Sequence, residues 1–595
     1  MSDYKTPLRD MQFILAELAG LDDIASLPGC EEATPELVDA ILDEAGKFAA
    51  GVLAPINRTG DQQGCRLEGE RVITPDGWQE AYTQFQAAGW VGLSLAPEFG
   101  GQGLPKLVST PVWEMWFSTN MAFAMLPQLN VGEVAAITLA GSDALKARFL
   151  PKLVSGEWGG TMNLTEPQAG SDLAATRTRA EAQADGSYRL FGQKIFISYG
   201  EHELTANIIH LVLARLPDAP AGIKGISMFV VPKYLVHPDG SPGERNDVRC
   251  ISIEHKMGIH GSPTCTMSYG DSGGAVGYLV GECNRGLEYM FVMMNEARFG
   301  VGVQGVGLGE RAYQHALAYA RQRIQGRNAV SGEHGQAIID HPDVKRMLLS
   351  MRARIMAARA LLYTAAGWFD RAQHDPDAAL ADKCRRYVDL LMPVAKGWCT
   401  EIGNDVCDTA IQINGGMGFV EETGVAQYFR DARIMTIYEG TTGIQANDLI
   451  GRKIVREGGA TLTELMAEMR ETASRLSNDE ALSDMGVALQ EDVAMLERTL
   501  GWILANGTTH LDWVLAGAVP FLHLLGTVCG GWQMGRAALA AQARLGAGDG
   551  DAVYLRGIVD LSKFYFGHVA PHAAAWARTV IHGGATVAGY DGTAL

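Results

Sequence analysis

At 595 residues the chain is longer than one hydrophobic core accommodates, and its length suggests roughly three to five domains. A hydrophobic content of 47% with 20% charged residues excludes disordered and fibrous classes, and a formal net charge of −19 excludes nonspecific binding of nucleic acid through a basic surface. Nine cysteines without a CxxC pair point to reduced thiols rather than a disulfide framework or a zinc site.

Met1-Ser-Asp-Tyr-Lys-Thr-Pro7 lacks the apolar core of a signal peptide, and the final Gly-Thr-Ala-Leu carries no sorting address, so a cytoplasmic location is expected. Leu8, Met11, Ile14, Leu15 and Leu18 recur at helical spacing, as do Leu37, Ile41, Ala45 and Phe48. Residues 1–157 therefore read as a helical domain, with a turn-rich loop at 97–105. Over 158–285 the period shortens toward two, and 188–197, 208–213 and 226–231 read as strands. No convincing helix separates them, so a β-barrel or sandwich is expected rather than a parallel βαβ sheet. Helical spacing returns over 286–455, where Val344, Leu348, Met351, Ile355, Ala358, Leu362, Ala365 and Phe369 make one apolar stripe. Residues 456–595 form an additional helical domain. Within it, 513–532 is long enough to span a membrane and has no acidic or basic side chain apart from His523. Pro520, the glycines and the adjoining Asp512 favour a buried helix instead, and peripheral membrane contact stays open.

Four segments carry chemical signals. Gly300-Val-Gly-Val-Gln-Gly305 fits G-x-G-x-x-G, but a dinucleotide fingerprint follows a strand, and Met293 to Phe299 read as helix. These glycines are expected to let helices pack closely. Thr161-Met-Asn-Leu-Thr-Glu-Pro-Gln-Ala-Gly-Ser-Asp172 is either a surface turn or a set of donors for a polar cofactor ring. Gln412-Ile-Asn-Gly-Gly-Met-Gly-Phe419 either ends a helix or lets a pyrophosphate approach the backbone. Glu439 follows the apolar run 434–438 and precedes Gly440, with Thr441 and Thr442 placed to cap another helix. A carboxylate so placed is a general base if burial raises its pKa, and a solvated loop glutamate otherwise.

In this order and spacing, Thr165 to Asp172, Gly192-Gln-Lys194, Gln412 to Gly416 and Tyr438-Glu-Gly-Thr441 resemble the acyl-CoA dehydrogenase family, over residues 80–455. The region after 455 and the N-terminal segment starting Pro7-Leu-Arg-Asp10 are similar to that family's large bacterial subgroup. The resemblance implies a mainly α multidomain fold: an N-terminal helical domain, a middle β-barrel, a C-terminal four-helix bundle and here an extra helical domain. It implies FAD as cofactor and Glu439 as the base for the α-proton of an acyl-CoA thioester, with hydride passing to the flavin and trans-2-enoyl-CoA as product. Met162, Leu164, Thr165, Gly170, Ser171, Phe196 and Ser198 would serve the flavin, Phe196 and Ser198 standing where the family usually has Trp and Thr. Arg323, Gln412, Gly415 and Gly416 would bind the adenosine diphosphate of a neighbouring subunit's FAD, and Thr441 would follow the catalytic loop onto the cofactor. Ser171, Arg298, Tyr438 and Gly440 would meet the substrate. No metal is implied.

The chain departs from the family pattern at three places. Arg323-Ile-Gln-Gly326 lacks the usual phenylalanine, Ala297 stands where a few members carry the base, and Gly443 replaces a frequent glutamine. The implied substrate is a medium- or long-chain fatty acyl-CoA, with 3-methylmercaptopropionyl-CoA as the alternative. The implied partners are an electron-transferring flavoprotein and further copies of the chain, as a homodimer or dimer of dimers. An oxidase that passes electrons to oxygen is the nearest rival, and a noncatalytic flavin-binding regulator on the same fold is the rival of another class.

Overall fold

The computed structural model describes residues 4–594. They form two compact units: one holds the chain up to Gly46, Pro105–Ser118 and everything from Val301 onward, and the other holds Lys47–Leu104 and Thr119–Gly300.

The second unit is built on one eight-stranded sheet. Its strands are β1 (Trp158–Asn163), β2 (Arg179–Ala182), β3 (Tyr188–Ser198), β4 (Asn207–Arg215), β5 (Ile226–Pro232), β6 (Val248–Ile253), β7 (Thr264–Tyr269) and β8 (Ala275–Val280). They lie in the order β6-β7-β3-β8-β5-β4-β1, and β2 pairs with both β3 and β4. Those two pairings close a ring of β3, β8, β5, β4 and β2, which is the expected barrel. Strand β4 is buried almost throughout, so its period of two separates two apolar faces rather than an apolar from a polar one. Ile209, Leu211 and Leu213 join Phe149, Leu150 and Met290 of helices outside the ring. Val212 and Ala214 turn the other way, onto Leu190, Phe229 and Val231. His210 is the polar residue in the middle of this strand; Thr161 Oγ1 lies 2.7 Å from its Nδ1, and burial lowers its pKa to about 3.

The first unit is helical. Helices α1 (Leu8–Glu17), α4 (Pro342–His374), α5 (Ala378–Asn414), α6 (Thr442–Asp448) and α7 (Ala518–Ala547) belong to it, together with the start of α2 (Lys106–Ala140) and the end of α3 (Gly286–Gln322). The glycines of α3 act as small faces, because a Cβ on Gly302 would stand 2.5 Å from the Ala395 carbonyl and one on Gly305 would strike Cys399. Helices α3 and α5 therefore meet backbone to backbone. The long stripe of α4 is buried from Leu348 to Ala365 as its spacing predicts. In the helix Pro35–Phe48 the buried residues are Val38, Leu42, Ala45 and Gly46, and Leu37 is exposed, one position away from the expected stripe. Paired apolar residues at 37–38 and 41–42 allow either face inward, and packing decides between them.

Segment 513–532 is not one continuous helix. A short helix, Leu511–Ala516, ends at Gly517, and α7 then runs with its apolar residues buried from Phe521 to Met534. Gly526 and Gly530 receive the indole of Trp398 from α5, contacts any side chain there would obstruct. Among the described residues, the helix long and apolar enough to cross a membrane is Lys106–Ala140, and 67% of its most apolar window is buried.

One buried guanidinium joins four of these helices. Arg359 of α4 is fully buried and pairs with Glu114 of α2 at 2.6 Å and Glu310 of α3 at 2.8 Å. Asp10 of α1 lies 3.7 Å away and is also paired with Arg352. Tyr363 donates its hydroxyl to Glu114 at 2.8 Å. Burial works against the Arg359 charge, but Glu114 and Glu310 outweigh it and hold the pKa well above its ordinary value. Arg359→Met leaves buried carboxylates without their cation and is expected to cost about 3–5 kcal/mol. A urea midpoint unchanged from the parent would show that this network does not stabilise the unit.

Candidate active site

The segment around Glu439 starts from a 3-10 turn, Arg433–Thr436, and ends on α6. Thr441 caps α6, its Oγ1 accepting the Ile444 N–H at 3.3 Å, as the threonine pair predicts. Thr442 instead donates to Glu401 Oε1 at 2.6 Å. Between turn and helix, Glu439 has φ 55° and Gly440 has φ 91°, so two successive residues are left-handed. Glycine adopts this freely, whereas a glutamate held there stores strain of about 1–3 kcal/mol.

That conformation is held through its carbonyls. Gly440 O accepts from Lys396 Nζ at 2.7 Å and from Gln445 Nε2 at 3.3 Å, and Glu439 O accepts from Gln445 Nε2 at 3.0 Å. Both donors are buried. Tyr438 donates its hydroxyl to Gln304 of α3, and its pKa is raised by burial first and by the neighbouring Glu439 charge second. Glu439 itself is half-buried. Sequence reading assigns no task to Lys396 or Gln445. The available signal is a lysine inside the apolar run 390–399 of a helix, where an ammonium needs a fixed acceptor.

Gln412 lies on the last turn of α5, whose C-cap is Gly415 at φ 59°, with the Gly415 N–H donating to the Gln412 carbonyl. The glycine run therefore ends a helix. It also leaves open space, since no heavy atom outside the local chain stands within 4 Å of where a Cβ on Gly415 or Gly416 would be. Phe419 at the end of this turn is 90% exposed. Arg323, also exposed, donates to Gln325 Oε1 at 3.4 Å.

The remaining expected residues belong to the second unit. Met162 and Thr165 are half-buried, and Leu164 packs into the core beside β1. Gly170 and Ser171 are exposed, with open space at Gly170. Phe196 on β3 is exposed and left-handed, at φ 58°, and Ser198 is half-buried. Arg298 is buried and donates to Asn295 at 3.4 Å.

A buried ion pair shapes the 164–172 segment. Lys194 Nζ donates to the Leu164 carbonyl at 3.0 Å and to Glu166 Oε1 at 2.8 Å. Glu166 also accepts the Thr178 hydroxyl at 2.7 Å and the Arg177 N–H at 2.8 Å. The Ile195 N–H then binds the Thr165 carbonyl at 2.9 Å, so this turn is tied to β3 at successive carbonyls. Burial alone would raise the Glu166 pKa; Lys194, Thr178 and Arg177 together bring it down to about 2. The folded-state pKa is thus depressed, and the stabilisation is complete above the ordinary value of 4.5 and lost as pH falls toward 2. Comparing Glu166→Gln with the parent, the melting-temperature gap should be widest above that value and narrow steadily on acidification. A gap independent of pH would show that Glu166 is not an ionised partner.

Four family models match the chain in order. "Acyl-CoA dehydrogenase, N-terminal domain" covers residues 35–157, the middle-domain model 161–272, the C-terminal-domain model 284–454, and "Acetyl-CoA dehydrogenase C-terminal like" 465–591. The chain is 47% identical to a 3-methylmercaptopropionyl-CoA dehydrogenase of Ruegeria pomeroyi, over 96% of this chain and 97% of that one. It is 34% identical to a broad-specificity linear acyl-CoA dehydrogenase of Mycobacterium tuberculosis, over 96% of each. The crystal structure of an acyl-CoA dehydrogenase complexed with FAD from Bacillus anthracis shares the fold at a TM-score of 0.75 and 22% identity, over 98% of this chain and 93% of that one.

Proposed function

Since the chain belongs to the acyl-CoA dehydrogenase family, we propose that it uses FAD to desaturate 3-methylmercaptopropionyl-CoA, with Glu439 as the base. The observation that carries the substrate is the 47% identity to an enzyme named for it, against 34% to a broad-specificity linear enzyme over the same share of the chain. That contrast favours a short acyl group bearing a thioether over the medium- or long-chain substrate expected from the sequence.

The residues present fit the cofactor. The open space at Gly415 and Gly416 suits a diphosphate, with Arg323 and Gln412 as the polar groups for it. The exposed Phe196 and the half-buried Met162, Thr165 and Ser198 suit the flavin ring, with Gly170 and Ser171 free for its phosphate side. When bound, FAD supplies the acceptor for the β-hydride. Holding a neighbouring subunit's adenosine diphosphate requires at least a dimer, and an electron-transferring flavoprotein is the fitting acceptor for the electrons.

The work of this chain is on the α-proton. An α-C–H of a thioester is a very weak acid, and carboxylate basicity in water falls far short of it. In this role the Glu439 backbone N–H donates to the thioester carbonyl and stabilises the charge that develops there, and such a donor is typically worth about 3–4 kcal/mol. The Glu439 carboxylate takes the proton. Gly440 adds no side chain beside it, and Tyr438, fixed by Gln304, forms part of the acyl wall.

Glu439→Gln is expected to retain FAD and bind thioester while turnover drops by about a thousandfold or more. Activity within about tenfold of the parent would sink the assignment of the base. Anaerobic titration of the oxidised flavin band distinguishes the substrates. 3-Methylmercaptopropionyl-CoA should bleach it faster than butyryl-CoA or palmitoyl-CoA, and a fastest reaction with palmitoyl-CoA would return the reading to long-chain acyl groups.

A further inference from the structure

Lys396 lies in the middle of α5 with its side chain fully buried, three residues after Pro393 and next to Gly397. A buried ammonium is costly unless its donors are placed on acceptors, and one of those acceptors here is the Gly440 carbonyl. Gln445, one turn into α6, supplies the second set of donors, to the Glu439 and Gly440 carbonyls. The two side chains thus hold both carbonyls of a left-handed pair, one member of which is not glycine. Left without them, a glutamate relaxes toward right-handed or extended backbone, and a peptide flip would swing its carbonyl and the neighbouring N–H groups to new directions. Helix α7 covers this arrangement from behind. A Cβ on Gly397 would come within 2.8 Å of Leu522 and 3.6 Å of Gln445, so the absence of that side chain lets all three meet.

We propose that Lys396 and Gln445 are positioning residues for proton abstraction: by holding the carbonyls of residues 439 and 440 they set the direction of the Glu439 N–H and carboxylate. The role rests on the reading of Glu439 as base. It separates two functions at one loop, since Glu439 exchanges the proton whereas Lys396 and Gln445 act on the loop's carbonyls. It also gives the C-terminal helices a part in the reaction, through the packing of Leu522 on Gly397.

The test uses the full-length holoenzyme and the thioester, among the three above, that reduces the parent's flavin fastest. Lys396→Met and Gln445→Met remove the donors while keeping side-chain volume. For each, the rate of anaerobic flavin reduction is measured per bound FAD, beside the melting temperature and the thioester dissociation constant. The rate per bound FAD should fall by about ten- to a hundredfold in Lys396→Met and by a smaller factor in Gln445→Met, with thioester affinity changed by less than about threefold. A purely structural role would lower FAD content and melting temperature and leave that rate within about twofold, which would overturn the proposal. If Lys396→Met does not retain FAD, Gln445→Met decides by the same rate. Glu439→Gln measured in parallel separates the two readings: flavin reduction at the parental rate in that variant removes the base itself, whereas an inactive Glu439→Gln beside a fully active Lys396→Met removes only the positioning role.

Discussion

Burying the Arg359 guanidinium forces Asp10, Glu114 and Glu310 to converge on it, because a cation out of water is tolerable only when carboxylates surround it. Those carboxylates come from α1, α2 and α3, so the pairing fixes how three helices stand against α4. The register of α3 then determines where Gly302 and Gly305 meet α5, and close approach at these glycines determines how α5 lies. Lys396 is carried on α5 and reaches Gly440 from 44 residues away along the chain. The geometry of the Glu439 loop is in this way the last step of a packing sequence that begins at one buried charge.

Two residues of the proposed chemistry carry backbone strain. Few residues other than glycine have positive φ among the described residues, and both Phe196 and Glu439 are among them. Each is held by its surroundings. Phe196 sits on β3, whose neighbours Lys194 and Ile195 are tied to the 164–166 turn. Glu439 is held by Lys396 and Gln445. A strained residue persists only where its surroundings over-determine it, and the two turns show two ways of doing so: a buried ion pair with several backbone donors, and side-chain donors to consecutive carbonyls.

The C-terminal helices have no chemistry of their own in this reading, yet they are not an appendage. Helix α7 carries glycines because Trp398 occupies the space their side chains would need, and its Leu522 packs on Gly397 beside Lys396. The scarcity of charge that makes 513–532 resemble a membrane span is therefore explained by burial against other helices, α4, α5 and His572–Ala588 among them. Apolar composition reports that a surface is covered and leaves open whether lipid or protein covers it.

Local properties of the chain were legible without coordinates. Helical spacing marks α1 and α4, the glycines before and after Gln304 exclude a dinucleotide turn by their helical context, and Thr441 announces a helix start. The order of the motifs around Thr165, Lys194, Gln412 and Glu439 was enough to place the family. The three later strands β6, β7 and β8 were less visible, since polar residues and glycine dilute their alternation. Tertiary structure alone decided which of two adjacent stripes faces inward in Pro35–Phe48. It alone brought Lys396 and Gln445 to the carbonyls beside Glu439, and Lys194 to Glu166. The physical reason is the same in each case: periodicity and capping act within a few residues, whereas burial and a hydrogen bond to a distant carbonyl depend on distances in space that no spacing along the chain encodes.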